Sequence, residues 1–454
     1  MMMRFFVRAV ALLLLTASLL QAQDSLNFEL IGSSNPRSAA GYNDCWGYVA
    51  PDGHEYALLG VNNGTSILDL ADPANIQEVA FIPTSTSTWK DLKTYRHYAY
   101  VVIDAVGNGL QIIDLSDLPN SASLITTFTG NGFASSHNIT IDTTAGMLYA
   151  QSNSAIRIID LSDPLVPVEV GSIPLSGTHD VFAQNGRLYI SEGFSSTFGI
   201  YDVSDPANPQ LLTRITTPSF GYSHCAWANH DDTILITTEE LPVAMTVKVW
   251  DMSDINNVFL RGEYIASATG RPHNVHIEGH FAFISHYWDG IRVVDFSDPD
   301  NPVEVAGYDT YPAPGANFEG CWGAYPHFPS RKVLASDRST GLYVFQFEEI
   351  TTGVGGEIPL PETFSLDQNY PNPFNPSTRI SFNLTRSERV SLAVFNIVGQ
   401  KIRSLASGEM SAGRHEVSWD GRDGAGQTVE SGMYFYQLQT ASGRQMTRKM
   451  LFIQ

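Results

Sequence analysis

Short apolar or alternating runs, separated by Gly, Asp, Pro and Ser, fill the chain from residue 26 onward. Runs of this length bounded by turn residues predict β-strands. Four of them stand in succession between His273 and Thr310: "HNVHIEG", "FAFISHY", "GIRVVDFSD" and "VEVAGYDT". The third run recurs as "TSILDLADP" at Thr65, "LQIIDLSD" at Leu110, "IRIIDLSDP" at Ile156, "FGIYDVSDP" at Phe198, "VKVWDMSD" at Val247 and "IRVVDFSDP" at Ile291. Its first Asp falls at 69, 114, 160, 202, 251 and 295, so the intervals are 45, 46, 42, 49 and 44 residues. In a strand-rich chain a period of roughly 40–50 residues predicts the four-stranded blades of a β-propeller. The repeated Asp and Ser suit tight turns, where they accept backbone N–H groups, and Pro fixes the next φ.

A seventh copy, "GCWGAYPHFPSRKVLASDRSTGLYVFQFE" from Gly320, stops after its third strand. "LNFELIGSS" (Leu26 to Ser34) resembles a fourth strand, "VPVEVGSIP" (Val166 to Pro174), and can complete it. The start of the mature chain would then close the ring and remove its free edges. After "EEITTGVGGEIPLPE", a Gly- and Pro-containing linker, come "NYPNPFNP" and short alternating strands with Gly/Asp turns, the pattern of a small β-sandwich. The expected fold class is all-β: a seven-bladed propeller followed by a small Ig-like sandwich. "DGRDGAGQTVE" (Asp420 to Glu430) lacks the helices and ligand spacing of a calcium loop and reads as a hairpin turn.

The N-terminus changes the setting. Arg4 and Arg8, the apolar "AVALLLLTASLL" and the small Ala22 form a secretory signal. The expected division is signal 1–22, propeller 23–347, linker 348–362 and C-terminal domain 363–454. No later segment is long enough to span a membrane as a helix. Hydrophobic residues make up 43% and charged residues 16%, a globular composition. The net charge of −21 is uneven. From Asp24 to Phe347 there are 14 Lys and Arg against 36 Asp and Glu; from Glu362 to Gln454, 10 against 8. The acidity of the first unit disfavours nucleic acid and anionic membranes as partners and suits cation binding or plain solubility.

"LQIID", "IRIID" and "IRVVD" resemble the LVIVD repeat of bacterial and archaeal surface proteins. "STWKDLKTYRHYAYVV", "YSHCAW", "PHNV", "GYDTYP" and "GCWGAYPHFPSRKVLASD" are similar to the propeller of the choice-of-anchor B family, over about Asn27 to Phe347. This resemblance implies a secreted or surface-anchored propeller and no established enzyme activity. "NYPNPFNPST", "VFNIVGQ" and "SGMYFY" resemble the C-terminal sorting domain of type IX secretion, and also flagellar-hook-type Ig-like domains. That resemblance implies export through the periplasm of a Gram-negative bacterium to the outer surface or medium, with the type IX machinery as partner. A spacer or adhesion module without a sorting role is the alternative.

Candidate chemistry gathers at the starts of the innermost strands. Aligned there, "DCWGY", "WKDLK", "SHNIT", "THDVF", "SHCAW", "PHNVH" and "GCWGA" place Cys45, Lys90, His137, His179, His224, His273 and Cys321 at one position. Equivalent positions form a ring around the channel mouth. The loops between second and third strands share that face and carry Asp104, Glu192, Glu239, His286 and Asp337. We therefore expect Lys90, Asp104, Glu192, Glu239 and Asp337 as binding residues, and His137, His179, His224, His273 and His286 as ligands of a divalent metal ion. The plain alternative is that a histidine followed by Asn or Asp bonds a neighbouring blade. His276 varies with blade packing, and His280 lies in a turn on the opposite face. Cys45 and Cys321, in blades that adjoin on closure, form a candidate disulfide, while Trp46 and Trp322 beside them read as packing. No GxSxG, HExxH, Walker or CxxC motif occurs, so no catalytic residue is assigned. Three functions follow: a binding or adhesion propeller for an extracellular glycan or protein, a metal-dependent lyase or hydrolase acting on an extracellular polymer, or a surface scaffold.

Overall fold

The computed structural model describes residues 25–347 and 364–453, apart from 27, 153, 312–317, 367, 370, 371, 385, 387, 411 and 412. The expected signal (1–22) and linker (348–362) lie outside the described residues. Seven antiparallel sheets form the blades. Blade one spans residues 42–83, two 90–128, three 139–174, four 181–216, five 223–264 and six 275–308. Blade seven takes three strands from 321–347 and its outermost strand, Phe28–Ser34, from the other end of the chain. Phe28 lies opposite Phe347 and Ser34 opposite Leu342, so the ring closes as expected. Ser25–Leu26 does not join that strand. It pairs with Val303–Tyr308 as a fifth strand on blade six.

The turn chemistry repeats as closely as the sequence does. Asp69, Asp114, Asp160, Asp202, Asp251 and Asp295 each accept the backbone N–H two residues on, at 2.7 to 2.9 Å. These local bonds end the third strand and aim the chain into the fourth. Apolar clusters then join neighbouring blades; Ile158 and Ile173 of blade three pack with Val181, Leu188 and Ile190 of blade four.

One glycine position ties turn and packing together. A Cβ on Gly32, Gly171 or Gly262, all in outermost strands, would overlap the Pro73, Pro206 or Pro299 carbonyl oxygen in the next blade's turn. The absent side chain lets each turn dock on its neighbour.

The C-terminal region packs two antiparallel sheets. One contains Ser365–Leu366, Thr378–Leu384 and Gly413–Trp419; the other contains Glu388–Asn396, Lys401–Met410, Gly432–Thr440 and Gln445–Phe452. Trp419, Phe382, Leu392, Tyr436 and Phe452 fill the core between them. Phe374, from the proline-rich entrance, packs on Trp419 and Phe452 at 5.5 and 5.1 Å. Asp423 accepts the N–H groups of Ala425 and Gln427, which makes the Asp420–Glu430 stretch a turn.

Gly171→Val forces the Pro206 turn away and is expected to cost about 1–3 kcal/mol in urea unfolding. Val168→Ala, on the exposed side of the same strand, is expected to stay within about 0.5 kcal/mol.

Candidate functional site

Each inner strand starts where its antiparallel partner ends, so the loops before strand one and after strand two share one face. On that face the histidines of blades three to six meet. The ring of His137 lies 4.4 Å from His179, His179 lies 4.1 Å from His224, and His224 lies 4.2 Å from His273, between centroids. Trp322 continues the arc, 4.7 Å from His273. Two sets of donors lie within 4.8 Å of one another: His137, His179 and Asp180; and His224, Glu240 and His273.

Most of the imidazoles are oriented by an oxygen. His137 Nδ1 bonds Asp104 at 2.9 Å, and His179 Nδ1 bonds Asp180 at 2.9 Å. His273 Nδ1 bonds the Trp322 carbonyl at 2.6 Å. His224 is the exception. Its buried Nδ1 has no hydrogen-bond partner and faces the second Asp180 oxygen at 3.7 Å, while Nε2 lies 4.0 Å from Glu240. Burial opposes charge on His137, but the hydrogen bond and charge of Asp104 outweigh it and raise its pKa. Burial, aided by neighbouring imidazoles, holds His224 well below the ordinary value. Burial likewise lowers His273, to about 3. Burial also works against the Asp180 carboxylate, yet His179 keeps its pKa low; burial keeps that of Glu240 high.

In blades two and three the residue after the ring member stitches the blade to the next. Asp91 Oδ2 accepts the Ile139 N–H at 2.7 Å, and Asn138 Oδ1 accepts that of Val181 at 2.9 Å. Asp44 stands at the equivalent place in blade one, where burial and the charge of Asp91 push its pKa well up. Lys93 pairs with Asp91 and lies 4.3 Å over the Trp46 ring. Three residues beyond the ring position, Phe182 stacks on Trp227 at 4.0 Å and His276 packs on Trp227 at 4.4 Å, tilted by 50°.

Strand register corrects several expectations. Ser223 pairs with Glu239 and Cys321 with Asp337, and one extra residue follows each, His224 and Trp322. Trp322, not Cys321, is therefore the ring member of blade seven. In blade one the irregularity holds Asn43 and Asp44, which moves Cys45 off the ring as well. Both cysteines are free. Cys321 packs between blades six and seven and Cys45 between seven and one, so a blade separates them. Lys90 keeps its place. Burial lowers its pKa to about 8, and it donates to Thr84 at 2.5 Å.

A second register separates the loop residues. Glu239 and Asp337 end their second strands, Glu192 and His286 directly follow theirs, and all four turn away from the axis. Glu192 is held by Arg214 at 2.6 and 2.8 Å. Glu239 is held by Lys248, Thr217 and Ser219. His286 faces Asp289 at 3.1 Å and belongs to neither donor set. Asp337 accepts from Thr310 at 2.7 Å and from its own turn. The residue one step on faces the pit: Asp104, Glu240, and Tyr287, whose hydroxyl bonds Glu240 at 2.7 Å. Asp180, Glu240, Tyr287 and Arg271 escaped the sequence reading. Alternation of side chains in "TTEE" and "THDV" was the available signal.

Fold and site together define a seven-bladed β-propeller with an imidazole- and carboxylate-lined axial pit. Residues 89–129, 179–217 and 269–310 match the LVIVD repeat, and residues 369–444 match the FlgD Ig-like domain. No curated protein matches the chain. Among solved structures, PorZ of Porphyromonas gingivalis, described as an essential bacterial surface component of its type-IX secretion system, aligns with 12% identity and a TM-score of 0.45 over 88% of this chain. The chain spans 58% of that protein. The WD40 repeats of RRP9 align with 10% identity and a TM-score of 0.52, covering 72% of this chain and 100% of that one, a likeness of fold. Among the described residues no helix is long and apolar enough to cross a membrane.

His224 and His273 bind protons more readily unfolded than folded. Their neutral burial therefore stabilises the fold above the unfolded value of about 6.5 and loses that contribution as pH falls below it. In metal-free protein, His224→Asn/His273→Asn is expected to flatten the fall in stability between about pH 6.5 and 5, by up to about 1.4 kcal/mol per pH unit per histidine, in urea melts.

Proposed function

We propose that this protein is an exported surface propeller that binds an extracellular glycan across its histidine face, and that its C-terminal sandwich is a type IX sorting address. The rim of the pit carries the binding reading. Trp89, Phe194 and Phe220, all in loops on that face, are 46%, 83% and 73% exposed. Trp89 lies 6.4 Å from His137, and Phe194 lies 4.6 Å from Tyr222, itself 5.5 Å from His179. Exposed aromatic residues around a polar pit suit a ligand with apolar faces and many hydroxyls. Sugar rings stack their C–H faces on such side chains while Asp104 and the imidazoles meet the hydroxyls. The acidity of the propeller favours an uncharged glycan over a polyanion. The LVIVD repeats and the choice-of-anchor B motifs support a surface location.

A second reading, a metal-dependent lyase or hydrolase acting on an extracellular polymer, is favoured by the histidine arc itself. Product release from a bound polymer, absent after chelation, would replace the binding reading with this one.

The sorting role rests on the motifs of the tail. In "VFNIVGQ", Ile397 and Val398 form the exposed tip of a turn closed by the Asn396 N–H donating to the Gln400 carbonyl at 3.0 Å. An apolar tip outside the core is a handle for the export machinery.

Trp89→Ala/Phe194→Ala is expected to weaken polysaccharide retention at least tenfold in affinity electrophoresis, with an unchanged melting curve. Retention of a matrix protein instead, insensitive to these changes, would overturn the glycan reading. Ile397→Asp/Val398→Asp, like deletion of residues 363–454, is expected to leave the protein in the periplasm. Unaltered export refutes the sorting role.

A further inference from the structure

We infer that His137, His179 and Asp180 bind one divalent transition-metal ion of the zinc class at the mouth of the pit. The inference goes beyond glycan binding and does not depend on it. The three donors come from two adjacent blades and lie within 4.8 Å of one another. His137 Nδ1 is engaged by Asp104 at 2.9 Å, which leaves Nε2 as its ligand atom. A carboxylate behind a ligating imidazole fixes the ring and raises its basicity. His179 Nδ1 and Asp180 Oδ1 are 2.9 Å apart, close to one edge of a coordination shell with bonds of about 2.1 Å. A cation seated there takes the place of the proton they share.

A separate observation points to the same spot. His224 Nδ1 is buried without a hydrogen-bond partner and faces the other Asp180 oxygen at 3.7 Å. The surrounding charge also favours a cation: the fields of Asp104, Asp180 and Asp91 all reach His137. The neighbouring set of His224, His273 and Glu240 is less suited. Arg271 is buried with Nε and Nη1 unpartnered, and its positive charge reaches Glu240. Glu240 also already accepts from Tyr287.

Two imidazoles and one carboxylate select zinc, manganese, cobalt or nickel over calcium, which prefers an all-oxygen shell. His137 and His179 are half-buried, so solvent or a ligand reaches the remaining coordination positions from the mouth.

The test uses the tag-free mature chain, stripped with chelator and titrated with Zn²⁺, Mn²⁺ or Ca²⁺ in a calorimeter, with the Co²⁺ absorption spectrum as a second readout. One Zn²⁺ per chain is expected, with no Ca²⁺ uptake. Affinity is expected to fall at least about a hundredfold in His179→Ala and about tenfold in Asp104→Asn, a positioning residue. His280→Ala, on the opposite face, is expected to bind as the parent does. If His179→Ala does not fold, His137→Gln on the more exposed side serves, read by loss of the Co²⁺ bands. Absence of a stoichiometric ion, undiminished uptake by the His179 or His137 variant, or loss only in His224→Ala or His273→Ala overturns the assignment. Glycan retention measured on the same metal-free preparation keeps the two proposals apart: retention without metal uptake refutes the metal site alone.

Discussion

The pairing of Phe28–Ser34 with Gly341–Phe347 is the contact on which the propeller depends. It joins segments some three hundred residues apart, and the entropy of closing so long a loop rises only slowly with length. A single strand suffices because it also brings an aromatic anchor. Phe28 lies 4.8 Å from Phe345 and 5.7 Å from Phe347, in the cluster that joins blades six and seven. Closure has a chemical consequence as well. It turns a linear period of about 45 residues into a circle, so residues far apart in the chain become neighbours. The arc from His137 to His273 exists because the ring does.

Along each inner strand, successive positions meet different neighbours. Ring members touch one another at the mouth. The next position carries Asp91, Asn138 and Asp180, which hold neighbouring blades or imidazoles in place. Three residues beyond the ring, Phe182, Trp227 and His276 pack ring against ring. Three of the buried acids here have a specific cation: Lys93 for Asp91, Arg214 for Glu192, Lys248 for Glu239. The fold and the pit thus draw on the same strands but on different residues of them.

The fold was legible in the sequence because its determinants are local and repeated. The Asp of each turn, the alternating runs and the missing fourth strand all stand in the letters, and the pairing of Phe28–Ser34 follows from them. The site was legible only as far as repetition reaches. Four histidines at one position were visible; which carboxylates meet them was not. Glu239 and Glu240 are adjacent in the chain, yet one faces Lys248 and the other His224. A shift of one residue reverses the side chain, and the extra residues at His224 and Trp322 shift the register without leaving a mark in composition. Cys45 and Cys321, matched by their "CWG" context, each pack against the preceding blade and so fall in different inter-blade cores.

The asymmetry of the ring argues about the purpose of the histidines. If the architecture required imidazole at this position, every blade would carry one. Blade one has Asn43, blade two Lys90 and blade seven Trp322, and their inner strands still pair along the blade. The bonds that hold the blades run through the following residue, as from Asp91 to Ile139, where the ring member is Lys90. The fold therefore tolerates quite different side chains at the mouth. Four imidazoles occur in consecutive blades, with Asp104 and Asp180 behind two of them and Trp89 and Phe194 on the rim beside them. That concentration on one half of the ring is what the proposed ligand site calls for.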